Sequence, residues 1–397
     1  RARLAERAHR LVERDELVHR MFTYDDGGIQ RARWTAPARL TVDSPSGHAT
    51  VTAQAVQPSG LGPRVILGVT PVADAILAAG SYLVTLRVDG RAEVRAPILL
   101  ARGEGMQLSV PVPRHVPAGY VFVPAGRFLY GSNDNEDFRR SLLNAQPLHA
   151  TTTPAYLIAR HEVTFGDWIE FLRDLSPVER AQRLPRAAEN AVTHADAAIT
   201  LTEPTPGRFH LAMQPTSRRY TADEDHSIHY ESRSVGAEQR WQRIPVSGIS
   251  WDDAVSYATW LERARGLSKA RPCDEREWER AARGADARLF PSAGLPEPSD
   301  ANVAETYSRQ PDAFGPDEVG SHPGSDSVFG VADLAGNAWE WVASVSGDEQ
   351  VAIRGGGWYH NQAAARSNNR EPAEPSLRAI TLGLRICATP PDEPPAP

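Results

Sequence analysis

Val331-Ala332-Asp333-Leu334-Ala335-Gly336-Asn337-Ala338-Trp339-Glu340-Trp341-Val342, followed closely by Arg354-Gly355-Gly356-Gly357-Trp358, is the passage that orders the rest of this chain. Trp339 and Trp341 stand two apart, so on a strand both face the same side. Glu340 then faces the other way, where a carboxylate needs water, a partner or a cation. The three glycines permit left-handed backbone, or the close approach of another segment. The chain beyond about Gly119 reads as scaffold for these two segments.

With 397 residues the chain has room for two or three domains. A content of 41% hydrophobic and 23% charged residues fits a globular protein with a sizeable core. The formal charge of −7 leaves no basic excess to displace counterions, so nucleic acid is not an expected partner. No apolar run reaches about 18 residues, so no membrane span is expected. The start, Arg1-Ala2-Arg3-Leu4, lacks methionine and a signal core. That start predicts a fragment of a longer or processed polypeptide, whose N-terminal remainder is a partner, in the cytoplasm. Cys273 and Cys387 form neither a disulfide framework nor a metal-binding spacing. Two buried free thiols are expected, with a disulfide as the alternative.

Residues 1–22 place Leu4, Ala8, Leu11, Val12, Leu17, Val18 and Met21 at near-helical intervals, predicting an amphipathic helix within a linker over 1–36. Residues 23–35, with Asp25-Asp26-Gly27-Gly28, break it. Over 37–114, short β-branched runs alternate and are punctuated by Gly and Pro, the pattern of an all-β sandwich. Three capping boxes mark helix starts: Thr164 with Asp167, Ser250 with Asp253 and Asp274 with Glu277. Gly284 ends the third helix, whose Trp278 is expected in the core. Residues 176–243 form a polar insertion with a hairpin of 199–202 and 208–213. The run around Asp223, His226 and His229 is expected to be a solvated loop rather than a metal site. Residues 390–397 are an expected disordered tail.

Gly336-Asn337-Ala338-Trp339-Glu340-Trp341, Arg354-Gly355-Gly356-Gly357-Trp358, Ala365-Arg366-Ser367 and Gly383-Leu384-Arg385 resemble the formylglycine-generating enzyme (sulfatase-modifying factor) family. Upstream matches are Val123-Pro124-Ala125-Gly126-Arg127-Phe128, Gly131, Glu162-Val163-Thr164, Pro245-Val246 and Ser250-Trp251-Asp252-Asp253-Ala254. Glu277-Trp278-Glu279-Arg280-Ala281-Ala282-Arg283-Gly284 continues the order. The resemblance implies an α+β, loop-rich C-type-lectin-like fold over 115–389. Gly68-Val69-Thr70-Pro71, Ala79-Gly80-Ser81-Tyr82 and Asp89-Gly90 resemble the PEGA-type surface domain, a spacer or binding unit without chemistry.

The resemblance also implies a reaction that this sequence does not support. Formylglycine-forming members hold copper(I) on a thiolate pair placed shortly after the glycine-rich motif. Here that segment is Tyr359-His360-Asn361-Gln362-Ala363-Ala364, without cysteine, and Gly357 replaces an expected serine. His360 is its one strong donor, whereas a catalytic metal usually needs three. His149, His161 and His322 read as surface or capping residues, and copper is not expected. Calcium is the expected cofactor, on two implied sets of hard oxygen ligands. The first uses the Asn302 and Asp312 side chains with the Val303 and Phe314 carbonyls. The second uses Asp333 and Glu340 with the Gly336 and Ala338 carbonyls.

The sequence thus predicts a catalytically degenerate domain acting as a ligand- or protein-recognition module, the C-terminal part of a larger signalling protein such as a serine/threonine kinase. Its groove is expected to be rimmed by exposed Trp339, Trp341, Trp358, Tyr359, His360, Asn361, Gln362, Arg366, Asn368, Asn369 and Arg370. A protein or small molecule is the expected ligand. The alternatives are an oxygen-dependent metalloenzyme with a non-cysteine centre and a variable protein of a diversity-generating retroelement.

Overall fold

A computed structural model of the chain describes residues 1–7, 11–187, 198–292, 294, 296–347 and 350–391. The central stretch folds as anticipated. Trp339–Ala343 is a strand between Val351–Arg354, which runs antiparallel to it, and Leu382–Leu384, which runs parallel. Glu371–Pro372 completes this four-stranded sheet. A second sheet is ordered Arg271–Pro272, Ile386–Ala388, Tyr156–Ala159, Tyr120–Val123. Leu382–Leu384 and Ile386–Ala388 flank Arg385, so one short piece of chain joins the two sheets. This part of the molecule is mixed α/β, rich in short sheets and with few helices.

The three expected capping boxes all form, on Phe165–Asp174, Trp251–Arg265 and Glu275–Arg283. A fourth, Ser176 with Glu179, opens Pro177–Arg183 inside the polar insertion. The hairpin Ala198–Thr205 with Arg208–Gln214 is present in the predicted place, with Leu201 opposite Leu211. It continues into Tyr220–Asp223. The acidic, histidine-bearing run is partly ordered by pairing: His229 Nδ1 lies 2.6 Å from Glu238 and Ile228–His229 pairs with Glu238–Gln239.

Residues 38–109 contain only strands among the described residues, arranged in two sheets. Val94–Leu100 carries Pro97 at its middle, which interrupts the local strand pattern. It pairs on one side only, with Gly80–Arg87, and an edge position tolerates proline. The same strand faces the C-terminal part, where Pro97 meets Gly284. Ser81 Oγ donates to Asp286 at 2.6 Å and Arg127 pairs with Glu104 at 2.8 Å across this junction.

Two expectations need correction. Helix is described over Ala2–Arg7 and Leu11–Thr23, on either side of residues 8–10, which lie outside the described residues. Val12 is 83% exposed, so the face assumed apolar is not fully covered. Ile29–Thr35 is a further helix within the stretch expected only to break the first, its start set by Gly28 in the left-handed region. Cys273 and Cys387 are bonded to each other, with Cα atoms 4.8 Å apart, and are not free thiols. Strand pairing aligns Arg271 with Cys387, which sequence separation alone does not disclose. The tail expected at 390–397 lies, from 392 on, outside the described residues, as do residues 188–197 of the insertion.

Candidate functional site

The loop after the glycine motif is built from backbone inward. Gly355 and Gly356 take positive φ values of 97° and 73°. A Cβ on Gly356 would press on the Ala364 backbone at 3.0 Å, so the loop folds back onto its own start. Trp358 N donates to Asn337 O at 3.2 Å, tying the loop to the central stretch. Ala304 N donates to His360 O at 2.9 Å, tying it to the loop of residues 302–318.

An aromatic row follows from these ties. Phe314 packs edge-on against Tyr359 with ring centroids 5.6 Å apart and also contacts Trp358 at 6.4 Å. Tyr359 meets His360 at 5.9 Å, and His360 meets Trp339 at 5.4 Å. Trp339 Nε1 donates to His360 Nδ1 at 3.2 Å, which assigns the ring proton to Nε2. Burial pushes the His360 pKa down to about 4, so the ring is neutral at neutral pH. The sequence implies a role for Phe314 only through its carbonyl; no local pattern announces its ring contact.

The eleven residues expected on the rim separate into three groups. Trp339, Trp341 and Trp358 are buried, at 5%, 0% and 1% exposure, and are not the exposed aromatics anticipated. Trp341 Nε1 donates to Ile249 O and its ring packs on Trp251. Asn368, Asn369 and Arg370 are also buried, with Arg370 paired to Glu275 at 2.7 Å. Tyr359, His360, Asn361, Gln362 and Arg366 alone reach the surface. Asn361 Oδ1 accepts from Ala363 N, Gln362 donates to Pro296 O, and Arg366 lies over Phe138 and near Asp134. Beneath them Trp358 Nε1 and Thr381 Oγ1 are buried without a partner. Gly357 stands beside Thr381 Cβ and Trp339 Cδ1, each 3.5 Å from where its own Cβ would be.

Glu340 faces away from the tryptophans as predicted, and its partner is a cation. Arg385, fully buried, donates to both Glu340 oxygens, and Trp278 Nε1 donates to Oε2 at 2.6 Å. Arg385 also donates to the carbonyls of Ala159, Arg160 and Ala332. Glu162 and Asp333 lie in the same buried patch, and Glu162 Oε2 accepts no hydrogen bond although Arg385 Nη2 stands 3.5 Å from it. Burial, then the Asp333 charge, raises the Glu162 pKa well above the usual carboxylate range.

These contacts test the implied calcium sets. Among the described residues no three His, Cys, Asp or Glu side chains are grouped to hold a metal ion, so backbone carbonyls would have to contribute. The second set fits in charge: Glu162, Asp333 and Glu340 gather round the buried guanidinium of Arg385, with the His161 ring 3.7 Å from Asp333. It fits less well in ligands, because Glu340 is fully engaged by Arg385 and Trp278. The first set does not fit. Asn302 Oδ1 is buried without a partner, but Asp312 is exposed and accepts from Ser217 Oγ at 2.6 Å. Arg233 donates to the Ala313 and Gly315 carbonyls that flank Phe314, at 2.7 and 2.8 Å. The surface-or-capping reading holds for His149 and not for His322, which is buried between Ser299 O and Asp317.

A family model described as the sulfatase-modifying factor enzyme 1-like domain matches residues 106–390. The chain is 29% identical over 279 residues to hercynine oxygenase of Mycobacterium tuberculosis, covering 64% of this chain and 57% of that protein. It is 27% identical over 296 residues to the inactive C-alpha-formylglycine-generating enzyme 2 of Mus musculus, covering 68% and 85%. It is 26% identical over 296 residues to the serine/threonine-protein kinase Pkn1 of Chlamydia trachomatis, covering 70% of this chain and 39% of the kinase. The match thus spans little more than half of the oxygenase and well under half of the kinase.

Proposed function

This chain belongs to the sulfatase-modifying factor enzyme 1-like domain family, and from that premise we propose that it is a catalytically degenerate member acting as a recognition module. The observation that carries the reading is the donor set of the loop 358–370. It has no thiol, and its one imidazole spends Nδ1 on Trp339. What it offers outward is a short polar and aromatic edge, Tyr359, Asn361, Gln362 and Arg366, on a rigid aromatic base. The likeness to an inactive relative supports the reading, and the likeness to a kinase supports a place in a larger signalling protein. In that proposal the strands over 38–109 are a PEGA-like sandwich acting as spacer, and the protein works in the cytoplasm. Calcium would serve the scaffold at Asp333 with the Gly336 and Ala338 carbonyls, where the buried negative charge favours a cation.

A second reading, an oxygen-dependent metalloenzyme, draws on the likeness to hercynine oxygenase. The two separate by experiment. Purified protein supplied with copper(I) or iron(II) is expected to retain no stoichiometric redox metal, and to leave a cysteine-containing peptide unoxidised under air. Turnover of that peptide overturns the recognition reading. In a thermal-shift screen of peptides and small molecules, hits at this edge are expected to vanish in Tyr359→Ala and Asn361→Ala while both variants stay folded.

A further inference from the structure

The insertion of residues 176–243 grips the loop 311–318 almost residue by residue. Thr216 Oγ1 donates to Pro311 O at 2.7 Å, Ser217 Oγ to Asp312 at 2.6 Å, and Tyr220 Oη to Asp312 O at 3.4 Å. Tyr230 Oη donates to Pro316 O at 3.1 Å, and Glu318 N donates to Gln239 Oε1 at 2.7 Å. At the centre stands Arg233, whose side chain is fully buried. Its Nε donates to Ala313 O at 2.7 Å, Nη2 to Gly315 O at 2.8 Å, and Nη1 to Asp317 Oδ1 at 2.5 Å. The guanidinium is layered between Tyr230 and Tyr307, 3.7 and 3.9 Å from their centroids. Tyr307 Oη and His322 Nε2 complete the shell of Asp317, each at 2.8 Å from Oδ2.

Phe314 is the residue of this loop whose ring turns the other way, onto Trp358 and Tyr359. We propose that Arg233 is the internal cation of this loop, doing with a guanidinium what a bound metal would otherwise do, and that the insertion thereby positions Phe314 under the recognition edge. The chemistry agrees. A loop that turns several carbonyls and a carboxylate inward needs a positive centre. A planar donor fork with aromatic faces above and below supplies it without hydration to strip. A divalent cation placed beside it would meet a fixed positive charge, and the side chain meant to hold it, Asp312, points to solvent and Ser217.

The inference goes beyond the recognition reading and fails separately from it. The test compares wild type, Asp312→Asn, Arg233→Ala and Arg233→Lys by calcium calorimetry and by thermal unfolding in calcium chloride or chelator. Asp312→Asn is expected to leave calcium stoichiometry unchanged and to move Tm by no more than about 1 °C. Arg233→Ala is expected to lower Tm by more than about 5 °C, with calcium giving no recovery, and Arg233→Lys to recover less than half of the loss. If Arg233→Ala does not fold, the Asp312→Asn calorimetry decides alone. Loss of one calcium equivalent in Asp312→Asn, or restoration of Arg233→Ala by calcium, overturns the proposal.

Discussion

His360 and His322 are shifted in opposite senses. Burial holds His360 neutral with a pKa of about 4, below the ordinary value of 6.5. The unfolded chain therefore binds more protons there, and stability falls as pH drops from about 6.5 towards 4. The shift of about 2.5 pKa steps corresponds to roughly 3 kcal/mol lost over that window. His360→Gln is expected to flatten that acid limb in urea titrations between pH 4 and 7; an unchanged limb rules out a buried neutral ring. His322 shows the reverse. Burial alone would lower its pKa, but the hydrogen bond and charge of Asp317 prevail and raise it. Its stabilisation is whole below pH 6.5 and is lost as pH rises through its folded pKa, so His322→Gln should cost more at pH 5.5 than at pH 9. Arg385 is the third residue with a measurable role. Arg385→Met leaves Glu340 buried without its cation, and a loss of about 3–5 kcal/mol is expected in urea unfolding. A loss under about 1 kcal/mol would show that the pair is not buried as described.

At the scale of the element, helix Glu275–Arg283 is held by charges that an amphipathic pattern hides. Its Glu275, Glu279 and Arg283 are all buried: Glu275 pairs with Arg354 and Arg370, and Glu279 with Arg354 and with Arg283 one turn on. Arg354 reaches Glu279 at 2.9 Å and Tyr130 Oη at 3.1 Å, so the arginine of the glycine motif is structural. The helix starts were legible because each capping box is a local exchange of hydrogen bonds among four residues. Ser250→Ala removes one such exchange and is expected to cost about 1 kcal/mol by chemical denaturation. No measurable loss would mean that the cap is redundant with tertiary packing. The central strand was legible for the same reason, alternation being a property of consecutive residues. The burial of its tryptophans was not, since a Trp side chain has the same spacing whether its outer face meets solvent or His360. Gly336 belongs here too: with φ of 79° and the Asn302 carbonyl oxygen 2.3 Å from where a Cβ would stand, any side chain would collide.

At the scale of the molecule, three ties join distant parts of the chain. Cys273 and Cys387 are 114 residues apart in sequence, and their bond fastens the approach to helix Glu275–Arg283 to the last strand. Thiol titration of denatured, unreduced protein is expected to find no free thiol; two thiols per chain would refute the bond. The second tie is the junction of Ser81 with Asp286 and of Pro97 with Gly284, which sets the N-terminal sheets against the C-terminal part. The third tie is the insertion, whose Arg233 clasps a loop some eighty residues further on and so reaches Phe314.

The sequence by itself determined the family-bearing motifs, the helix starts, the hairpin, the alternation of the central strand and the absence of thiols from the loop after Gly357. Each is written within a few neighbouring residues, where backbone period and local hydrogen bonding act. Only the tertiary structure decided which tryptophans are core, that the two cysteines meet, that Glu340 belongs to Arg385, and that Arg233 stands among the carbonyls of residues 313–315. Those outcomes depend on which groups share a desolvated volume, and burial prices a charge or a ring by neighbours that no short stretch of chain contains.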